Sequence, residues 1–219
     1  MPFADDFQLP PALGRARARV TFLCNPNSPS GTLVPLARIE ALAREVTGVL
    51  VVDEAYVDFA PINALGLVGR LPNVLVLRTL SKSFSLAGLR VGLAFGHPEL
   101  LVGLRTVKDS YNLSRLSQAA AVAALGDLPA MRANVARIRA TRARLTVGLE
   151  RLGFRVLPSE ANFVLARRPG VDQGPVARAL AARDILVRHF AQRGLEDALR
   201  ITVGTDAEID ALLAALGAL

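Results

Sequence analysis

Apolar and polar positions fall along this chain in blocks of two kinds. RVTFLC (19–24), GVLVVDEAY (48–56) and NVLVLRTL (73–80) are short runs rich in aliphatic residues, bounded by turn formers or charges, and predict buried strands. Between the first two, LARIEALAREV (36–46) repeats its apolar residues at helical spacing. The order strand, helix, strand, helix, strand predicts an α/β unit with a mostly parallel sheet. LRVGLAF (89–95) follows the third strand after a loop too short for a helical crossover, so an antiparallel pairing is expected for it.

After HPEL the pattern turns helical, through PELLVGLRTVKD and SRLSQAAAVAALGD and then a long arginine-rich stretch, MRANVARIRATRARLTVGLERLGFR (131–155). The tail is mixed: FRVLP, ANFVLARR, a helix near 175–183, DILVRHF, LRITVG and a closing helix from about Asp206. GDLPA (126–130) marks a boundary. It divides the chain into a larger α/β unit, residues 1–127, and a smaller C-terminal α/β unit, residues 128–219, with the long helix joining them.

Composition narrows the class. At 219 residues and 52% hydrophobic, the chain is long enough to bury a substantial core. No low-complexity tract or repeat period appears, which argues against disorder and solenoids. Cys24 is the only cysteine, so no internal disulfide forms, and the start, MPFADDFQLP, lacks the apolar core of a signal peptide. No apolar run is long enough to cross a bilayer. A soluble cytoplasmic protein, with no membrane partner, is the expectation.

The net charge of +7 raises the question of nucleic acid. The strongest basic cluster, 131–155, places Val135, Ile138, Leu145, Leu149 and Leu152 near helical spacing with arginines mostly between them, and no aromatic interleaves them before Phe154. This is the pattern of an amphipathic helix with a solvated face, without a stacking platform for bases, so no nucleic-acid partner is expected.

The chemistry enters through a rarity. Of 26 basic side chains only Lys82 and Lys108 are lysines. Arginine stays charged and is a poor nucleophile, whereas a partly desolvated lysine sheds its proton and condenses with an aldehyde. A surface lysine is the plain alternative. Phosphate-loop, zinc-protease and nucleophile-elbow motifs are absent, the two histidines stand far apart, and no metal site is expected. Three polar segments, NPNSPSG, DEAY and TLSK, follow the three parallel strands, at the sheet edge where ligands of open α/β folds collect. Asp53 at a strand end suits a protonated pyridine nitrogen, and Thr79, Ser81 and Arg90 suit a phosphate.

Taken in order, CNPNSPSGT, VVDEAYVDF, TLSKSFSLAGLRVG and LRITVGT resemble the pyridoxal-phosphate-dependent class I and II aminotransferases, and most of all their histidinol-phosphate branch. The resemblance runs through the whole chain, while members of that family extend well beyond it on the N-terminal side. It implies a fold type I architecture, pyridoxal 5'-phosphate as cofactor, a homodimer, and amino transfer between histidinol phosphate and 2-oxoglutarate. A related pyridoxal enzyme such as a threonine-phosphate decarboxylase, or a non-catalytic remnant, are the alternatives. By the same resemblance Lys82 is the lysine that the cofactor aldehyde condenses with, Asp53 pairs the ring nitrogen, Tyr56 bonds the phenolic oxygen, and Thr79, Ser81 and Arg90 contact the phosphate. Arg200 grips a substrate carboxylate, and Arg188 lies near substrate. Tyr111 and Asn112 fall either near the substrate and dimer partner or in a helix-linking turn. One motif departs from the family: NPNSPSG puts Ser28 where an asparagine is usual, so that either Asn27 substitutes from one residue earlier or Ser28 makes a weaker bond.

Overall fold

A computed structural model describes residues 6–219; the first five residues, which open the MPFADDFQLP stretch, lie outside the described residues. Strands β1 (Val20–Cys24), β2 (Val49–Asp53) and β3 (Val74–Thr79) run parallel, and β4 (Gly92–Gly96) completes the order β1-β2-β3-β4 antiparallel to β3, as its short connection requires. Helix α1 (Leu36–Glu45) makes the first crossover and buries Ile39, Leu42 and Ala43 against Leu23, Leu50, Val52, Val74 and Val76. The second crossover is shorter than the alternating pattern implies. It holds only α2 (Leu65–Val68), a single turn that inserts Leu67 into the same core, because Pro61, Gly66, Gly69 and Pro72 leave no uninterrupted run for a longer helix.

Three helices follow: α3 (Pro98–Val107), α4 (Arg115–Gly126) and α5 (Leu128–Arg151). The arginine-rich helix starts three residues before the expected position, since the Asp127 carboxylate accepts the Ala130 N–H at 3.2 Å and Pro129 fits the first turn. Its arginine face is partly neutralised within the chain. Arg142 pairs with Glu160 at 2.7 Å, and Arg144 pairs with Asp206 and Asp210.

The end of α5 covers a second sheet, built from β5 (Arg155–Val156), β6 (Phe163–Arg167), β7 (Arg188–His189) and β8 (Ala198–Thr202) in the order β5-β6-β8-β7 with every pair antiparallel. With α6 (Gly174–Ala181) and α7 (Asp206–Gly217) it closes over a core of Leu145, Leu149, Val164, Leu180, Leu199, Ile201 and Leu212. DILVRHF is therefore mostly irregular, with only two residues in the ladder. Among the described residues no helix is long and apolar enough to cross a membrane.

The two units touch where the turn after β1 meets the loop before β6. Gly31 has φ +77°, its carbonyl accepts the Glu160 N–H at 2.8 Å, and a Cβ there would lie 2.2 Å from Ser159 Oγ. Both the left-handed backbone and the close approach call for glycine.

Candidate active site

The parallel register aligns the carboxyl ends of the strands, with Cys24 opposite Asp53 and Asp53 opposite Leu77. The ladder continues one residue further, Asn25 N–H donating to Asp53 O at 2.9 Å and Glu54 N–H to Leu77 O at 2.8 Å. Segments 25–32, 54–59 and 80–86 thus leave one edge together. The two acids of DEAY then take opposite surroundings. Glu54 is buried, its carboxylate accepting from Ala64 N–H and from Arg78 Nε at 2.9 Å; burial raises its carboxyl above the usual range despite the guanidinium. Asp53 is half-buried at the strand end and accepts the Ala55 N–H at 3.0 Å. Its charge reaches the neighbouring Cys24, whose thiol is pushed up to about 11, first by burial and then by Asp53, against a hydrogen bond from the Ser28 backbone.

Lys82 is half-buried, with Nζ 5.3 Å from the centroid of the Tyr56 ring. No carboxylate pairs with it among the described residues. Lys108 is different: exposed after α3, its ammonium donates to the carbonyls of Asp109 at 2.6 Å and Tyr111 at 3.2 Å, which accounts for that lysine as a tie within a turn.

From Lys82 a run of rings leads to the second sheet. Tyr56 meets Phe163 edge to face, centroids 5.1 Å apart, and the Arg200 guanidinium lies 5.1 Å from the Phe163 ring and 5.9 Å from Phe190. Arg188 stands opposite Arg200 in the β7–β8 pairing, 5.5 Å from the same Phe190 ring. Like charges across a ladder repel. Among the described residues neither guanidinium has an acid partner, and Arg200 Nε is buried without a hydrogen bond. Two facing guanidiniums of this kind have the chemistry to take up an anion.

The remaining predicted residues sit around this run. Thr79 Oγ1 lies 2.8 Å from Ser81 Oγ and 3.2 Å from the Val91 carbonyl, and it accepts the Ser81 N–H at 3.1 Å. Arg90, next to Val91, has an exposed side chain whose Nη1 donates to Ala87 O at 3.2 Å and a backbone in the left-handed region, φ 56°. Asn27 is buried, and its amide donates to Ser30 Oγ at 2.8 Å inside the turn. Ser28 faces outward from that turn to the second sheet, accepting from Arg200 Nη1 at 3.2 Å. Tyr111 and Asn112 lie exposed in the turn between α3 and α4.

Three features escaped sequence reasoning: Phe163 and Phe190, which frame Arg200; the Glu54–Arg78 pair; and the hydrogen bond from Ser83 to Asp58. ANFVLARR announced Phe163 as a strand residue, but a ring's partners on a distant segment leave no local pattern.

The sequence matches the family model described as aminotransferase class I and II over residues 8–216. The chain belongs to that family. Among curated relatives of this aminotransferase family member, histidinol-phosphate aminotransferase 1 of Nostoc sp. is 49% identical over 217 residues, covering 99% of this chain and 62% of that protein. The histidinol-phosphate aminotransferase of Gluconacetobacter diazotrophicus is 52% identical over 199 residues, covering 89% of this chain and 56% of that protein. The crystal structure of histidinol-phosphate aminotransferase from Sinorhizobium meliloti in complex with pyridoxal-5'-phosphate superposes with a TM-score of 0.88 at 33% identity, covering 100% of this chain and 63% of that one. The architecture is that of a fold type I aminotransferase, a larger mostly parallel unit with a smaller C-terminal one. The chain thus spans less than two thirds of the length of these relatives.

Proposed function

We propose that this chain carries out pyridoxal-phosphate-dependent amino transfer, with histidinol phosphate as amino donor and 2-oxoglutarate as acceptor, in the synthesis of histidine. The observation that carries this reading is the run of rings from Tyr56 through Phe163 to Phe190, which joins an amine without an ion pair to two guanidiniums without acid partners among the described residues, with Asp53 at the end of the strand that leads into Tyr56. The residues fit the cofactor. Lys82 has no competing carboxylate, Thr79 and Ser81 present two hydroxyls side by side, and the buried Arg200 Nε lacks a hydrogen-bond partner on an otherwise satisfied strand.

When bound, pyridoxal phosphate supplies an aldehyde and an electron-withdrawing ring that stabilises negative charge at the substrate α-carbon. Asp53 would hold a proton on the ring nitrogen, Tyr56 would donate a hydrogen bond to the phenolic oxygen, and Thr79, Ser81 and Arg90 would hold the phosphate. Asn27 supports the turn through Ser30, which leaves Ser28 to face Arg200. Lys82 Nζ would serve as the base that takes the proton from the substrate α-carbon and gives it back during the transfer. Arg200 grips the α-carboxylate of glutamate or 2-oxoglutarate as a fork, and Arg188 beside it meets the anionic end of the second substrate. Substrates of two shapes are thus served by one pair of cations.

The proposal extends to organisation. Residues 1–127 form the cofactor-binding unit and 128–219 the smaller one, joined by α5. The active form is a cytoplasmic homodimer, a reading supported by the exposed Val107, Tyr111, Leu116 and Val122 on and between α3 and α4. The test is glutamate formation by the full chain given pyridoxal phosphate, histidinol phosphate and 2-oxoglutarate, with phosphothreonine in parallel. Glutamate without carbon dioxide release is expected; carbon dioxide from phosphothreonine would replace this reading with that of a decarboxylase.

A further inference from the structure

Ser83 follows Lys82 directly and is 2% exposed. Its hydroxyl donates to Asp58 Oδ2, and its carbonyl accepts from Asn134 Nδ2 on α5 at 3.4 Å. The rest of the segment closes on itself: Ser85 N–H donates to Lys82 O and Leu86 N–H to Leu80 O, both at 3.1 Å, with Ser85 at φ 57°. The Ser83 hydroxyl is therefore the side-chain tie that fixes this turn to the segment after β2. At its other end Asp58 lies in the short helical turn Val57–Phe59, held by the buried side chains of Val57 and Phe59 and starting next to Tyr56, the ring beneath the Lys82 amine. Beyond the β2–β3 ladder, this hydrogen bond ties the segment that carries the amine to the segment that carries the ring. A hydroxyl donating to a carboxylate is a charge-assisted bond, stronger than a neutral one, and a buried hydroxyl without it would be left unsatisfied.

We propose that Asp58, acting through the Ser83 hydroxyl, is a positioning residue that holds the Lys82 amine over Tyr56. This rests on the reading of Lys82 as the residue that takes up the cofactor. Neither Asp58 nor Ser83 touches substrate or cofactor in that reading; both act on where Lys82 stands.

The chain carries its own control, because Lys108 is the other lysine and lies far along the sequence in an exposed turn. Trace acetylation of the full chain without cofactor, read by mass spectrometry as the ratio of Lys82 to Lys108, reports the setting of the amine. Pyridoxal phosphate titration followed by absorbance reports its use. Ser83→Ala and Asp58→Ala are expected to raise the Lys82 to Lys108 ratio several-fold and to weaken pyridoxal phosphate uptake by about tenfold, the scale of one lost hydrogen bond to a charged group. Ser83→Thr keeps the hydroxyl and is expected to restore both, and Asp58→Asn, an acceptor without the charge, to fall between; a loss that is merely structural would not be rescued in this graded way. An unchanged ratio in both alanine variants, or in the more conservative Asp58→Asn together with Ser83→Ala, overturns the proposal. If the ratio responds as expected while the wild-type chain takes up no pyridoxal phosphate, the tie is upheld and the cofactor reading is what fails.

Discussion

Arg200 Nη1 donates to Ser28 Oγ at 3.2 Å, a contact between residues 172 positions apart that ties the second sheet to the turn leaving β1. The residue that departs from the family's usual asparagine is thus the one that meets Arg200, the arginine proposed to grip a substrate carboxylate. The serine hydroxyl is short and accepts a single hydrogen bond from the guanidinium, and Nε is left buried without a hydrogen-bond partner.

For Arg200 the expectation follows from that geometry. Arg200→Lys keeps the charge but loses the fork, and the KM for 2-oxoglutarate is expected to rise by about 10- to 100-fold, in line with roughly 1.5–3 kcal/mol for a hydrogen bond to a charged group. Steady-state kinetics against the acceptor checks this. An unchanged KM would remove Arg200 from the substrate site.

Asp53 is open to a test that needs no substrate. Its charge adds to burial in raising the Cys24 thiol from an ordinary 9.0 to about 11. The sign is set by linkage. Because the folded chain holds the thiol proton more tightly than the unfolded one, Cys24 contributes a loss of stability as pH rises above 9.0 toward that raised value. Asp53→Asn removes the negative neighbour, so the pH midpoint of Cys24 alkylation is expected to fall, while remaining above 9.0 because burial is the larger cause. A midpoint that does not move would mean that Asp53 bears no charge beside Cys24.

Gly31 joins the two units by backbone alone. Gly31→Ala adds a Cβ 2.2 Å from Ser159 Oγ and 3.1 Å from Ser159 Cα at a φ of +77°, and is expected to destabilise the fold by more than about 1 kcal/mol. Gly69→Ala, with right-handed backbone and open space around the added methyl, is expected to be neutral or slightly stabilising. Urea unfolding of the two variants separates the effects of conformation and contact from those of composition.

Much of the larger unit was legible because β2 and β3, buried along much of their length, read as continuous aliphatic runs, and because β4 had too little chain before it for a crossover. RVTFLC, expected as a buried strand, is instead the edge strand β1 with Val20 and Phe22 exposed, since an aliphatic run does not tell an edge from a centre. Lys82 stood out as a candidate for a chemical reason, the rarity of lysine where arginine is the rule. The short crossover at α2 was less so, since one turn of helix gives no periodicity to detect. The strand predicted across DEAY ends at Asp53 because Glu54 turns into the core to meet Arg78 and Ala64, a three-way contact with no local signature. The contacts of Phe163 and the Ser28–Arg200 bond were illegible for the same reason. They join the two sheets, and sequence pattern reports neighbours within an element far better than meetings between elements.

The central claim is that the Lys82 amine is the nucleophile for the cofactor aldehyde. Its most direct test is to incubate the full chain with pyridoxal phosphate, reduce with borohydride and map the modified peptide. A stable adduct on Lys82, with Lys108 at background and no adduct in Lys82→Arg, is the predicted result. No adduct, or equal labelling of Lys82 and Lys108, would contradict the account.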